Sequence, residues 1–222
     1  MSNFLTIDPY NVLGTVSKFK EDLKVIPDQY VVDSLISAVK KSIFLKIIHE
    51  KSLRGNRHLL SVIYDFLGCI SAIKKNEDRY FYFNIRSCIE NSIRFLLNKD
   101  NDDEIGVTRM FSEFKERYKG VDGVSALTRV YSDACNYVHN NVKADIDVSK
   151  SYKYIDSSKI FEKKKSRNLC NDLVSVQSSL DNFLLINNKE DIKYSFLYLN
   201  ENIEYLINKK FLERLFSSEL VS

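Results

Sequence analysis

Apolar residues recur along this chain at steps of three and four, interrupted by short polar runs, and the pattern predicts a succession of amphipathic helices. Between Asp28 and Lys51, Val31, Leu35, Val39, Ile43 and Ile47 return every four residues, with Leu45 and Ile48 widening the face. From Arg57 to Lys75 the stripe is Leu59, Ile63, Phe66, Ile70 and Ile73. From Arg79 to Asn98 it is Tyr82, Ile85, Ile89, Ile93 and Leu96. A further helix carries Val124, Leu127, Tyr131, Ala134 and Val138.

The breaks between these stripes have a physical reading. Pro27 follows a weaker helical segment from Tyr10 to Val25 and is expected to end it, because proline disfavours helix in the residue before it. Gly55, the run "KKNED" and the run "KGVDG" separate the next helices. The acidic connector "NKDNDDEIG" offers Asp102 or Asp103 as a cap for a short helix holding Met110, Phe111 and Phe114. From about residue 142 to 166 the chain is polar, rich in Ser and Lys and without period, and reads as a loop. Two closing helices are predicted, from about Asn168 to Ile186 and from about Asp191 to Leu215.

No fixed-period repeat appears, and the connections are mostly short. The expectation is therefore an all-α fold, an antiparallel bundle of about seven to eight helices, with residues 1–222 forming one domain. Composition agrees. Only 6 Gly and 2 Pro serve 222 residues, too few for the turns of an all-β chain. The net charge of +3 is too small to diagnose a nucleic-acid partner. Cys69, Cys88, Cys135 and Cys170 are widely spaced, so neither a zinc site nor a redox motif is indicated. No cofactor is expected. The apolar runs are too short to cross a bilayer, and the first residues lack a signal-peptide pattern, so the expected location is cytoplasmic, with no membrane partner.

Polar chemistry intrudes on two of the stripes. In "NIRSCIENSIRFLL", Arg86, Glu90 and Arg94 follow at one-turn intervals. On an ideal helix Arg86 points within about 20° of Ile93, and Glu90 within about 20° of Leu97. Both lie beside the apolar stripe. The plain reading is an i, i+4 ion pair at its edge, worth about 0.2–0.5 kcal/mol if exposed. The sharper reading is an arginine and carboxylate lining a polar cleft, where the guanidinium fork could hold a phosphate.

The second intrusion is in "YSDACNYVHNN". His139 lies within about 20° of Ser132 and Thr128, about 40° from Cys135 and about 60° from Asn136, forming a polar ribbon beside the core stripe. By default it is a helix-end residue, favoured there by the helix dipole when protonated. Alternatively it is a proton-transfer group, for which histidine is best suited near neutral pH. That role requires Arg86, Glu90 and His139 to meet between neighbouring helices. Elsewhere, Lys163, Lys164, Lys165 and Arg167 form a short basic cluster that could touch phosphates or simply be solvated. His49 and His58 are too isolated for a metal site.

An all-helical chain with "IRSCIENSIRFL" on one helix and "YSDACNYVHNN" closing a later one resembles the HEPN superfamily, through Arg86, Glu90, Tyr131 and His139. The likeness covers the middle third of the chain. It implies a helical bundle, often a homodimer with active groups at the subunit interface. It also implies a metal-independent ribonuclease of a bacterial antiviral-defence or toxin–antitoxin system, with Asn136 and Asn140 in support. Nuclease members carry R-x4-6-H, and here the matching positions hold Ser132, Asp133 and Ala134, with Arg129 too distant. Either Arg86 substitutes from the neighbouring helix, with RNA as partner, or the protein does not cut RNA. In the latter case it is a non-catalytic interaction or regulatory subunit, or a nucleic-acid-binding accessory protein using the basic cluster.

Overall fold

Four of the described helices start where a polar side chain takes up free backbone N–H groups of the first turn. The computed structural model describes residues 7–139, 161–197 and 199–217. Among them are ten helices: α1 Val12–Asp22, α2 Gln29–Lys51, α3 Arg57–Lys74, α4 Asp78–Leu96, α5 Val107–Arg117, α6 Val124–Val138, α7 Lys163–Asn187, α8 Lys189–Phe196, α9 Asn200–Leu206 and α10 Lys209–Phe216. The Asp8 carboxylate accepts from the Val12 and Leu13 N–H groups. Asp28, Asn56 and Asn208 do the same for α2, α3 and α10, accepting from Val31, Leu59 and Phe211.

The all-α class is as expected, and the described helices outnumber the seven to eight predicted. Most of the excess lies at the C-terminus. The single helix expected over 191–215 is three short ones, broken by a left-handed Leu197 (φ 36°) and restarted by the Asn208 cap. Helix α7 begins five residues early, at Lys163, so the expected polar loop ends before 166; its earlier part, 140–160, lies outside the described residues. Helix α1 stops at Asp22, short of Pro27. Helix α5 has Gly106 at its N-cap and no side-chain cap, because Asp103 instead accepts from the Arg94 guanidinium and Asp102 makes no cap.

Side-chain pairs give the helix directions. Asp65 faces Asn91 while Cys69 faces Phe81, so α3 and α4 are antiparallel. Glu90 meets Tyr131 and Tyr82 meets Tyr137, so α4 and α6 are antiparallel too. The pairs Asp28–Arg167, Ala38–Gln177 and Lys41–Asp181 show that α2 and α7 run parallel. The expected antiparallel order thus holds for these helix neighbours along the chain and not for α2 with α7. Parallel neighbours are possible here because they are far apart in sequence.

The expected stripes face inward, and buried residues from Val12 to Leu215 form one contiguous core. Phe44 of α2 stacks on Phe196 (5.4 Å) and meets Phe211 edge-on (5.5 Å), which fastens the short C-terminal helices to the bundle. Fully burying one such ring contributes about 2–3 kcal/mol. One ion pair enters this interior. Lys41 and Asp181, 10% and 14% exposed, meet at 2.6 Å across α2 and α7.

Candidate active site

The groove between α4 and α6 collects the polar groups that sequence placed beside the stripes. Arg86 and Glu90 are one turn apart on α4, and their side chains are 28% and 23% exposed. The Arg86 Nε–H donates to Glu90 Oε1 at 3.1 Å. The same oxygen accepts from the Tyr131 hydroxyl of α6 at 2.8 Å. Tyr131 is held from the other side by Phe111 of α5, ring centroids 4.4 Å apart. The Arg86 guanidinium carbon lies 5.9 Å from the Tyr131 ring centre.

His139 completes the cluster. It is the exposed C-cap of α6, its backbone N–H donating to the Cys135 carbonyl at 3.0 Å. Its Nε2 lies 3.4 Å from Arg86 Nη1. It is therefore both a helix-end residue and a neighbour of the guanidinium. Arginine has donors only, so as a hydrogen bond this contact uses the Nε2 lone pair as the acceptor. The lone pair a base would use is thus the one turned toward a fixed cation. Burial, and then the proton it gives to Glu90, raise the Tyr131 pKa, so the phenol stays a donor. The Tyr131 oxygen first, then the Glu90 charge, hold Arg86 protonated against the opposing effect of burial.

Two neighbouring features were not singled out in the sequence. On α3, Asp65 accepts from Asn91 (3.4 Å), whose amide also reaches the Ser87 hydroxyl (3.2 Å). Burial first, with the nearby Glu90 charge adding to it, pushes the Asp65 pKa up against the hydrogen bonds that lower it. One turn before Arg86, Tyr82 packs on Tyr137 with the rings tilted by 31° and their centroids 4.4 Å apart. They wall a cleft of about 290 Å³ with Asp78, Lys164 and Lys165. Burial, then the carboxylates of Asp172, Asp133 and Asp78, push the Tyr82 pKa up to about 12. The i, i−4 spacing of Tyr82 from Arg86 was the available signal.

The basic cluster is helical and mostly paired. Lys163 and Arg167 reach the buried Asp28 carboxylate at 3.5 and 3.1 Å, and Lys165 reaches Asp78 at 2.6 Å. Lys164 is exposed and lines the tyrosine-walled cleft. Arg94, next in the arginine series, turns to Asp103 and to the Ile105 carbonyl, away from the cluster. Asn136 is half-buried on α6, and Asn140 lies outside the described residues. His58 is buried, its Nε2 2.9 Å from the Asp100 carbonyl, in a connection that joins α3 to the acidic loop.

No described group of three or more His, Cys, Asp or Glu side chains is placed to hold a metal ion. Cys69, Cys88 and Cys170 are buried and Cys135 is half-buried, all as free thiols. Among the described residues no helix is long and apolar enough to cross a membrane. Comparisons with protein-family models, curated proteins and solved structures find no match. What defines the chain is therefore its all-helical architecture and the Arg–Glu–Tyr–His cluster between α4 and α6.

Proposed function

We propose that the protein is a HEPN-like ribonuclease that cleaves RNA without a metal ion, with Arg86 standing in for the arginine missing upstream of His139. The observation that carries this reading is the 3.4 Å approach of Arg86 Nη1 to His139 Nε2, two groups 53 residues apart in sequence. In the reaction Arg86 turns its Nη1–H from His139 to the phosphate, and the Nε2 lone pair so released takes the proton of a ribose 2′-hydroxyl. The 2′-oxygen attacks the adjacent phosphorus, and Arg86 stabilises the charge that develops on the phosphorane oxygens. The P–O5′ bond then breaks, the departing 5′-oxygen takes a proton from solvent, and a 2′,3′-cyclic phosphate is left. Glu90 and Tyr131 act as positioning residues that hold the guanidinium in line.

A second copy of the chain is the expected partner. Tyr64 and Leu67 on α3 and Tyr80 and Phe83 on α4 are 43–65% exposed. They flank the close approach of Gly68 to Asn84, where an added Cβ would lie 2.3 Å from the Asn84 amide oxygen. By helical periodicity these four residues form one apolar face across α3 and α4. Phe83 and Ser87 border Arg86 on α4, so a partner docked there would adjoin the cluster.

Expression of the wild-type chain beside His139→Ala, with total RNA examined for new ends, is the test. The expected products carry 2′,3′-cyclic phosphate and 5′-hydroxyl termini, form in the presence of chelator, and vanish in the variant. Intact RNA in both strains would instead favour a non-catalytic interaction module docking through the α3–α4 face.

A further inference from the structure

A second cleft shares no lining residue with the α4–α6 cluster. It has a volume of about 570 Å³ and lies between the α5–α6 connection, the C-terminal part of α7, and α10. That size falls within the range of small-molecule sites, about 300–1,000 Å³. Its charged lining is Lys119, Lys210 and Arg214 against the single carboxylate of Asp122. Three cations against one anion leave a surplus of two positive charges facing one space.

None of the three cations is neutralised by a direct ion pair. Lys119 and Lys210 are exposed, and their ammonium groups have no ion-pair or hydrogen-bond partner among the described residues. Arg214 is half-buried and preset. Its Nη1 donates to the Asn182 side-chain oxygen at 2.7 Å, while Nε and Nη2 make no hydrogen bond to described residues. Behind it burial raises the Asp181 pKa, opposed by the charge and hydrogen bond of Lys41 and then by the charge of Arg214. The arginine is thus anchored at one edge with its other edge unused, the arrangement suited to a bidentate oxyanion.

The rim is held in place by backbone geometry. Gly120 and Gly123 have φ of 83° and 112°, a region that favours glycine. A Cβ on Gly123 would lie 2.9 Å from the Ser179 Cβ, so the connection sits flush against α7. At Gly120 nothing lies within 4 Å of where a Cβ would be, leaving open space. Val121 and Ile186, the latter 40% exposed, add apolar wall.

We propose that this cleft binds a phosphorylated small molecule of nucleotide size, its phosphates held by Lys119, Lys210 and the unused edge of Arg214. Val121 and Ile186 offer surface to a planar or apolar moiety, and Asp122 offers an acceptor for its hydroxyl or amino groups. The proposal is independent of RNA cleavage at His139.

Calorimetric titration of the full chain with ADP, pyrophosphate, adenosine and a short single-stranded RNA tests it. ADP and pyrophosphate are expected to bind at one site per chain, and adenosine at least about tenfold more weakly than ADP. Lys119→Glu and Lys210→Glu, both exposed and with no ion pair to a described residue, are each expected to weaken ADP at least about tenfold with unchanged helicity by circular dichroism. His139→Ala is expected to leave ADP binding intact. Absence of binding by both ADP and pyrophosphate, binding that ignores both lysine variants, or binding confined to the RNA would overturn the proposal.

Discussion

Glu90→Gln separates positioning from proton transfer within the α4–α6 cluster. One carboxylate oxygen accepts from both Arg86 Nε (3.1 Å) and the Tyr131 hydroxyl (2.8 Å). Glutamine keeps the shape and one acceptor oxygen but removes the charge. Charge-assisted bonds are roughly twice as strong as neutral ones, and a neutral bond contributes about 1 kcal/mol. With a quarter of each charged side chain exposed, solvent screening trims the difference. The expected loss is about 1 kcal/mol of stability, a fall in Tm of about 2–4 °C for a chain of this size. RNA cleavage should fall about tenfold as Arg86 loosens. His139→Ala, which removes the base itself, should cost about 10²–10⁴-fold. The assay is single-turnover cleavage with a thermal melt for each variant, extended to the Glu90→Gln/Arg86→Ala double variant. If Glu90 acts only through Arg86, the double variant is no slower than Arg86→Ala. Fully additive rate losses, or a Glu90→Gln enzyme as slow as His139→Ala, would refute the positioning role.

Three further outcomes test the frame around the site. Lys41→Ala strands the Asp181 carboxylate, 14% exposed, without its 2.6 Å partner, and should lower the unfolding free energy by about 3 kcal/mol in urea titration. Gly123→Ala meets both a φ of 112° and the Ser179 side chain at 2.9 Å, and should cost about 1–3 kcal/mol by the same measurement. Burial raises the Asp28 pKa, but the Val31 N–H, Arg167 and Lys163 together outweigh it and leave a net depression. The stabilisation from a depressed carboxylate is present above its unfolded pKa, about 3.9, and is lost as pH falls through the folded value. Asp28→Asn, which keeps the α2 cap, should therefore be less stable than wild type above about pH 4, with the gap closing on further acidification.

The helical stripes were legible because a buried face repeats with the helical period whatever lies opposite it. The same arithmetic put Arg86 and Glu90 beside the core and His139 at a helix end. It could not supply the register of α4 against α6, which decides that Tyr131 and His139, and not Ser132 or Thr128, touch the arginine and its carboxylate. Arg94 illustrates the limit, since it shares the spacing of Arg86 and pairs elsewhere. The basic cluster looked like loop because its composition is polar. Its partners Asp28 and Asp78 lie far upstream, and no local pattern reveals them. The C-terminal breaks were hidden because neither Pro nor Gly marks them; a leucine takes the left-handed conformation that ends α8. The cationic cleft draws on Lys119, Asn182, Lys210 and Arg214, residues that no sequence window holds together.

The parallel alignment of α2 and α7 also sets a timetable for synthesis. Asp28 and Arg167 are 139 residues apart, so the inner face of α2 waits for its partner while that length is translated, on the order of ten seconds. During that interval α2 through α6 can assemble only in part, with apolar surface open to solvent or to a chaperone. Maturation of the bundle, including the α4 shoulder that α7 braces at Asp78, waits on the synthesis of α7.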